Sequence, residues 1–501
     1  MKKLLLSIYP FLFALYPILA LIAYNIVYID PGAVVRSAVV AVMLAGILWI
    51  IFRVVTHEWD RSGIVTVLAL VLFFFYGHVY LQLEKSLGLT LRHRYLAAVF
   101  VVVFIVGAWW IITRIKDVVT WQNTLIVITC VLLVFPSYQL ASFEISNYQP
   151  ASTPAPATNL KAQTGDLPDI YWILLDAHTR SDILLKYYNY DNSKLIKGLE
   201  DLGFYVAKCS QSNYPATQLS VSSLMYGQYL DQIPGYENGL PPLKRGMVSE
   251  VVRSLGYTVI AFENRSNGHF NLGEDMRLSR NQMALGRIDL FGGLNEFEFT
   301  LMQTSALRLI YDMPQLVPGL DPKVLTQSEY YEHYHQVMFI LDTLPNMPKT
   351  KAPKFVFTHI LVPHPPYIFS PDGNFQATRN AIEGYRNNVE FIDNRILKVV
   401  TQIVKNSKTP PIIVIQGDHG PTGPQVTPQM RMAILNAYYV NDQTKKDLYP
   451  TITPINTFRI IFNSYFGTNF PLLTDTSYYA YGKPHPPVES EIVPNNYCTN
   501  Q

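Results

Sequence analysis

Five long apolar stretches crowd the first 142 or so residues of the chain: Leu4–Tyr28, Ala33–Ile51, Ile64–Leu83, Tyr95–Ile112 and Leu125–Leu140. About 20 apolar residues in a helix are enough to cross the hydrocarbon core of a bilayer. A chain with several such stretches in succession has few folds open to it, because inside lipid every backbone polar group must be paired within the protein. The first stretch is too long for a secretory signal, has no clear small-residue cleavage site, and is followed by four more, so it reads as a true span. With the N-terminus inside, the inner segments carry Lys2, Lys3, Arg53, Arg61, Arg114 and Lys116, and the outer loops carry Arg36, Lys85, Arg92 and Arg94. That bias follows the positive-inside rule, and five crossings then place everything C-terminal outside the cytoplasm. His78 is the notable polar residue within the spans and reads as a packing or interfacial residue.

Asn147 to Pro168 include a Pro/Ala/Thr-rich run, the composition of a semi-extended tether. The expected organisation is a membrane domain over 1–146, a linker over 147–168 and a catalytic domain over 169–501. The 501 residues hold 39 basic and 37 acidic side chains, a balance that gives no reason to expect nucleic acid as a partner. Of three cysteines, Cys130 lies in an apolar stretch as a small hydrophobe. Cys209 and Cys498 form either one disulfide in an oxidising compartment or two free thiols.

After the linker, strand-like apolar runs alternate with helical patterns, which implies an α/β fold with a largely parallel central sheet. The core strands are expected at Ile170–Leu175, Tyr257–Phe262, Phe355–Leu361 and Ile412–Gln416. Sites in such sheets gather beyond the C-terminal ends of the strands. The first strand delivers Asp176, followed by Ala177-His178-Thr179-Arg180; a carboxylate there is either a hard-cation ligand or a helix cap. The last delivers Asp418-His419-Gly420, an oxygen and a nitrogen ligand side by side, with glycines on either side to permit a tight turn. That mix suits zinc or manganese, with calcium a further choice.

Between these, Pro215 precedes a helix that starts near Thr217. A hydroxyl at a helix N-terminus meets free N–H groups and the positive dipole end, which stabilise an alkoxide and an anionic ester; the plain alternative is a cap. A third strand leads to Pro363-His364-Pro365-Pro366, where His364 can bind phosphate or protonate a leaving group, while His359 inside the strand reads as structural.

The order carboxylate, hydroxyl at a helix start, His-Pro-Pro, Asp-His-Gly resembles the sulfatase/alkaline-phosphatase superfamily. It is most similar to membrane phosphoethanolamine transferases and lipoteichoic acid synthases, over roughly Asp169 to Val440. The resemblance implies Thr217 as nucleophile and as a fourth ligand beside Asp176, Asp418 and His419 on one divalent metal. It also implies His364, Asn213 and Arg180 as substrate contacts, and Tyr385 to Asp393 as the helix before the last metal strand. Three departures stand out. The first ligand is Asp where the transferases have Glu, with Ala177 breaking any acidic pair. The sulfatase Cys-x-Pro-x-Arg signature is absent. No histidine occurs between Gly420 and Tyr439 to complete a second metal site. The implied activity is transfer of a phospho-head-group, phosphoethanolamine or phosphoglycerol, from a membrane lipid to an envelope glycan or lipid acceptor. It would proceed through a threonine intermediate, in a plasma (inner) membrane protein with its catalytic domain periplasmic or extracellular. A sulfuric or phosphoric ester hydrolase with the same site, and a degenerate envelope-assembly protein, are the rival readings.

Overall fold

The apolar stretches form helices Tyr9–Tyr24, Val35–Thr56, Trp59–Leu87, His93–Arg114 and Val118–Tyr148. The computed structural model describes residues 8–26, 34–87, 92–148, 167–233, 236, 243–263, 270, 272–278, 296–313, 328–479, 491–495 and 498. Four of the helices are long and apolar enough to cross a membrane, and Tyr9–Tyr24 is a shorter apolar helix of 16 residues. Lys2, Lys3 and nearly all of the expected linker lie outside the described residues. Val39, Val40, Ile47, Val102, Val131 and Val134 are among many apolar side chains on the outside of these helices. An apolar exterior of that extent suits hydrocarbon rather than water. His78 is exposed, whereas His93 is buried, ring-stacked on Tyr80 with centroids 4.1 Å apart.

The chain divides into two compact units, and the division departs from the linear order expected above. One unit joins residues 1–150 with 281–328; the other joins 151–280 with 329–501. Within the first unit, the helix Glu296–Thr304 is held to the N-terminal helices by an ion pair between Glu298 and Arg36. The backbone N–H of Ala306 donates to the Phe73 carbonyl at 2.7 Å. Gly77 permits this approach, since a Cβ there would lie 2.3 Å from the Gln303 carbonyl oxygen. The described residues 296–313, within the expected catalytic stretch, therefore group with the apolar helices.

The second unit is built on a seven-stranded sheet: β1 (Ile170–Leu175), β2 (Tyr205–Val206), β3 (Thr258–Phe262), β4 (Met276–Leu278), β5 (Lys354–Ile360), β6 (Ile412–Gly417) and β7 (Asn436–Tyr439). Their spatial order is β2-β7-β6-β1-β5-β3-β4, with only β7 reversed. The four strands expected from the apolar runs are β1, β3, β5 and β6, which pair in parallel as the interior of the sheet. Burial on both faces explains why these strands read as continuous apolar runs. Tyr171, Ile173 and Leu175 face one core, with Val356, Ile360, Ile413 and Ile415. Ile170, Trp172 and Leu174 face the other, with Phe355, Phe357, Ile412 and Val414.

Cys209 and Cys498 are joined by a disulfide across 289 residues, which decides between the alternatives left open above; Cys130 is free. Closing so long a loop restricts the unfolded chain, so replacing Cys209 and Cys498 by serine is expected to cost about 2–5 kcal/mol. The check is the unfolding temperature of the intact chain, together with thiol labelling of the denatured, unreduced protein, which should find Cys130 alone.

Candidate metal and phosphoryl-transfer site

Strand register assembles the site. Leu174 lies level with His359 on one side and with Gln416 on the other. Side chains alternate faces along a strand, so Asp176, His359 and Asp418 project on the same face of the sheet, at the C-terminal ends of three neighbouring parallel strands. One ligand atom from each of these three lies within 4.8 Å of the others, and all three residues are buried. His359 Nε2 is 3.2 Å from Asp176 Oδ2. His419 Nε2 lies 3.3 Å from Asp418 Oδ2 and 3.7 Å from Asp176 Oδ1. Asp418 Oδ2 is buried and has no hydrogen-bond partner among the described residues, while Oδ1 accepts from the backbone N–H groups of Ala177 and His419, each at 2.9 Å.

Two buried carboxylates among imidazoles could hold a divalent cation, because interior charge is tolerated only when paired or metal-bound. Burial alone would raise the pKa of Asp176, but His364, His359 and His419 outweigh it and hold the carboxyl well below the usual carboxylate range. Burial pushes His419 down to about 4 despite the opposing pull of Asp418. Neutral imidazole is the ligating form. The His419 Nδ1 bond to the Gly420 carbonyl, 2.9 Å long, turns Nε2 toward the carboxylates.

His359 is the residue that sequence reasoning missed. Its place inside a strand marks it as structural, yet it is the last but one residue of β5, where its side chain reaches the sheet end. Only the level of β5 against β1 tells a strand-end ligand from a core histidine.

Thr217 opens the helix Thr217–Tyr226, and its Oγ1 lies 3.2 Å from His419 Nε2. Ser220 is otherwise engaged: its Oγ donates to the Tyr214 carbonyl at 2.7 Å and meets Ser212 Oγ at 2.8 Å. Ser223 Oγ donates to the Gln228 carbonyl. Cys209 is committed to its disulfide and supplies no nucleophile. The His364 backbone N–H donates to the Asp176 carbonyl at 3.0 Å, its Nδ1 is 2.7 Å from the Pro365 carbonyl, and its ring centroid is 6.3 Å from that of His419.

Two expected substrate contacts, Asn213 and Arg180, also make hydrogen bonds within the protein. The Asn213 Nδ2 donates to Thr453 Oγ1 and the Thr476 carbonyl, and Oδ1 accepts from the Ile455 N–H. Arg180 is buried and makes a two-pronged ion pair with Asp182, with a further bond to Asn495. Both brace the loops around the site.

The backbone is also specialised here. Ala177 adopts φ 66°, a left-handed conformation costly for a residue with a Cβ. Asp418 Oδ1 on its N–H and Tyr385 Oη on its carbonyl (2.7 Å) hold it there. Tyr385 belongs to the helix Ala381–Asn406, whose buried Asp393 also binds His178 Nε2 at 2.7 Å. The glycines flanking Asp418-His419 serve close approach rather than turn conformation. A Cβ on Gly417 would sit 2.2 Å from the His178 carbonyl oxygen, and one on Gly420 would sit 2.1 Å from that of Met430. Gly420→Ala is expected to displace His419, costing about 1–3 kcal/mol of stability and at least roughly tenfold in turnover. Thermal melting and steady-state kinetics of the same preparation check both.

A protein-family model described as Sulfatase matches residues 168–459, more than half of the chain. The chain belongs to the sulfatase family. It is an enzyme of the sulfatase/alkaline-phosphatase superfamily, with a multi-span helical membrane domain before a sulfatase-like α/β domain. Curated proteins include no match. Among solved structures, the C-terminal periplasmic domain of EptC from Escherichia coli is similar with a TM-score of 0.45 at 12% identity, covering 68% of this chain and 96% of that one. The integral membrane lipooligosaccharide phosphoethanolamine transferase A from Neisseria meningitidis is similar with a TM-score of 0.39 at 12% identity, covering 91% of this chain and 94% of that one.

Proposed function

We propose that this sulfatase-family enzyme transfers a phospho-head-group, phosphoethanolamine or phosphoglycerol, from a membrane lipid to a hydroxyl of an envelope glycan or lipid by way of Thr217. The observation that carries the reading is Thr217 Oγ1 at a helix N-terminus, 3.2 Å from His419 Nε2 and so beside the Asp176–His359–Asp418 group. A threonine in that position favours phosphoryl transfer over sulfate-ester hydrolysis of the formylglycine kind, which needs a cysteine there. Asp176, His359, Asp418 and His419 would hold one divalent cation, zinc or manganese, with Thr217 as a further ligand. Such an ion lowers the pKa of a bound hydroxyl and offsets charge on phosphoryl oxygens.

The residues of the chain do the rest. Thr217 Oγ1 attacks phosphorus, the Oγ1–P bond forms and the P–O bond to diacylglycerol breaks, in line. The helix start points free N–H groups at the phosphoryl oxygens. His364 orients the phosphate or protonates the departing oxygen. The acceptor hydroxyl then displaces Thr217, restoring the enzyme.

The apolar helices suit a bilayer, where a lipid donor resides. The Cys209–Cys498 disulfide and the excess of basic residues in the segments taken as inner favour a catalytic unit outside the cytoplasm, at the plasma (inner) membrane. The test uses the full chain in lipid nanodiscs with fluorescent phosphatidylethanolamine or phosphatidylglycerol. Diacylglycerol released in step with a head-group-modified glycan, only when glycan is added, is the expected result. Release at the same rate into water alone would make it a hydrolase, and no release from either lipid would remove the donor assignment.

A further inference from the structure

One buried imidazole beside the site has no task in the scheme above. His333 lies on the helix Ser328–Thr343 and is 9% exposed. Its ring is hydrogen-bonded to the backbone of Leu361, the first residue beyond β5. Nε2 is buried without a hydrogen-bond partner among the described residues, so the bond to Leu361 is made by Nδ1. A carbonyl only accepts, so Nδ1 carries the proton and Nε2 is left with its lone pair. The groups that act electrostatically on this ring are His364 and Asp176. Both belong to the candidate site, and the His364 N–H donates to the Asp176 carbonyl in the same loop that His333 holds. Burial, helped by His364, pushes the imidazole down to about 4, so the lone pair is available at neutral pH. A buried acceptor with no donor calls for an explanation, and a ligand that supplies the missing hydrogen is one. Beside the Asp176 carboxylate, that ligand group must be a hydrogen-bond donor rather than a phosphoryl oxygen.

We propose that His333 is a further catalytic residue, which receives the acceptor's hydroxyl through Nε2 in the second half of the reaction. The inference rests on the transferase reading above. As the acceptor oxygen attacks, the new O–P bond forms and the Thr217 Oγ1–P bond breaks, its electron pair staying on Oγ1. The acceptor's proton passes to His333 Nε2 and from there to water. The ligand class is a neutral alcohol, a sugar hydroxyl or glycerol.

The two half-reactions can be read separately with the full chain in detergent, using 4-nitrophenyl phosphoethanolamine as donor and glycerol as acceptor. The nitrophenolate burst reports loading of Thr217, and glycerophosphoethanolamine reports transfer. His333→Asn keeps an amide donor for Leu361 and removes Nε2. It is expected to load Thr217 within about twofold of the wild-type rate and to lose transfer to glycerol by about 10²-fold, so that the phospho-Thr217 form accumulates in mass spectra. Should His333→Asn lose its fold, the same comparison on His333→Gln, which keeps most of the ring's volume, decides. Unchanged transfer overturns the assignment. So does an equal loss in burst and transfer, which would place His333 on the donor's ammonium instead. A wild-type protein that shows no adduct on Thr217 overturns the transferase reading itself, and this inference with it.

Discussion

Thr217→Ala removes turnover, by about 10³-fold or more, while leaving the fold and the bound metal largely in place. A nucleophile's loss is of that order because nothing else in the site can form the covalent intermediate. The structural cost is small, within about 1 kcal/mol, since Thr217 Oγ1 meets only His419 Nε2 among the described residues and Ala216, not Thr217, is the N-cap. Thr217→Ser keeps a hydroxyl at the same helix position and retains part of the activity. Ser220→Ala behaves in the opposite way. It forfeits the bonds to Tyr214 and Ser212, lowering stability by about 1–3 kcal/mol, yet still accumulates an adduct on Thr217. Mass spectrometry of trapped protein distinguishes the two hydroxyls, and normal turnover by Thr217→Ala would end the assignment.

Chelation abolishes activity, and Asp418→Asn prevents its recovery when zinc or manganese is returned. The argument lies in Asp418's two oxygens. Oδ1 is satisfied by the N–H groups of Ala177 and His419, and asparagine keeps that acceptor, so the turn survives. Oδ2 is buried without a hydrogen-bond partner among the described residues, and an amide placed there offers a donor in place of a ligand. Wild-type protein at a free metal concentration 100 times Kd should gain about 2.7 kcal/mol of stability; Asp418→Asn should gain almost none while melting normally when metal-free. His359→Ala should lose the same metal-dependent increment, which a merely structural strand histidine would not. Full activity in excess chelator would rule the metal centre out.

The fold class was legible because its signals are local. Long apolar runs become helices that suit a bilayer through the desolvation of their own backbone, and the runs Ile170–Leu175 and Ile412–Gln416 are apolar because both faces of those strands are buried. The places of Asp176, Thr217, Asp418 and His419 at strand ends and a helix start were readable too, since such ends are marked by the residues immediately around them. What the sequence could not carry is how those pieces stand against one another. His359 joins the carboxylates only because β5 lies level with β1 and β6. The internal partners of Asn213 and Arg180, from Asp182 to Asn495, come from distant parts of the chain that no local pattern names. The Cys209–Cys498 bond and the grouping of 296–313 with the apolar helices were equally out of reach. A residue's intrinsic preference is a property of its neighbours in the chain; its partner across hundreds of residues is chosen by packing, ladder register and the need to satisfy buried polar groups, and those are settled only when the whole chain has folded.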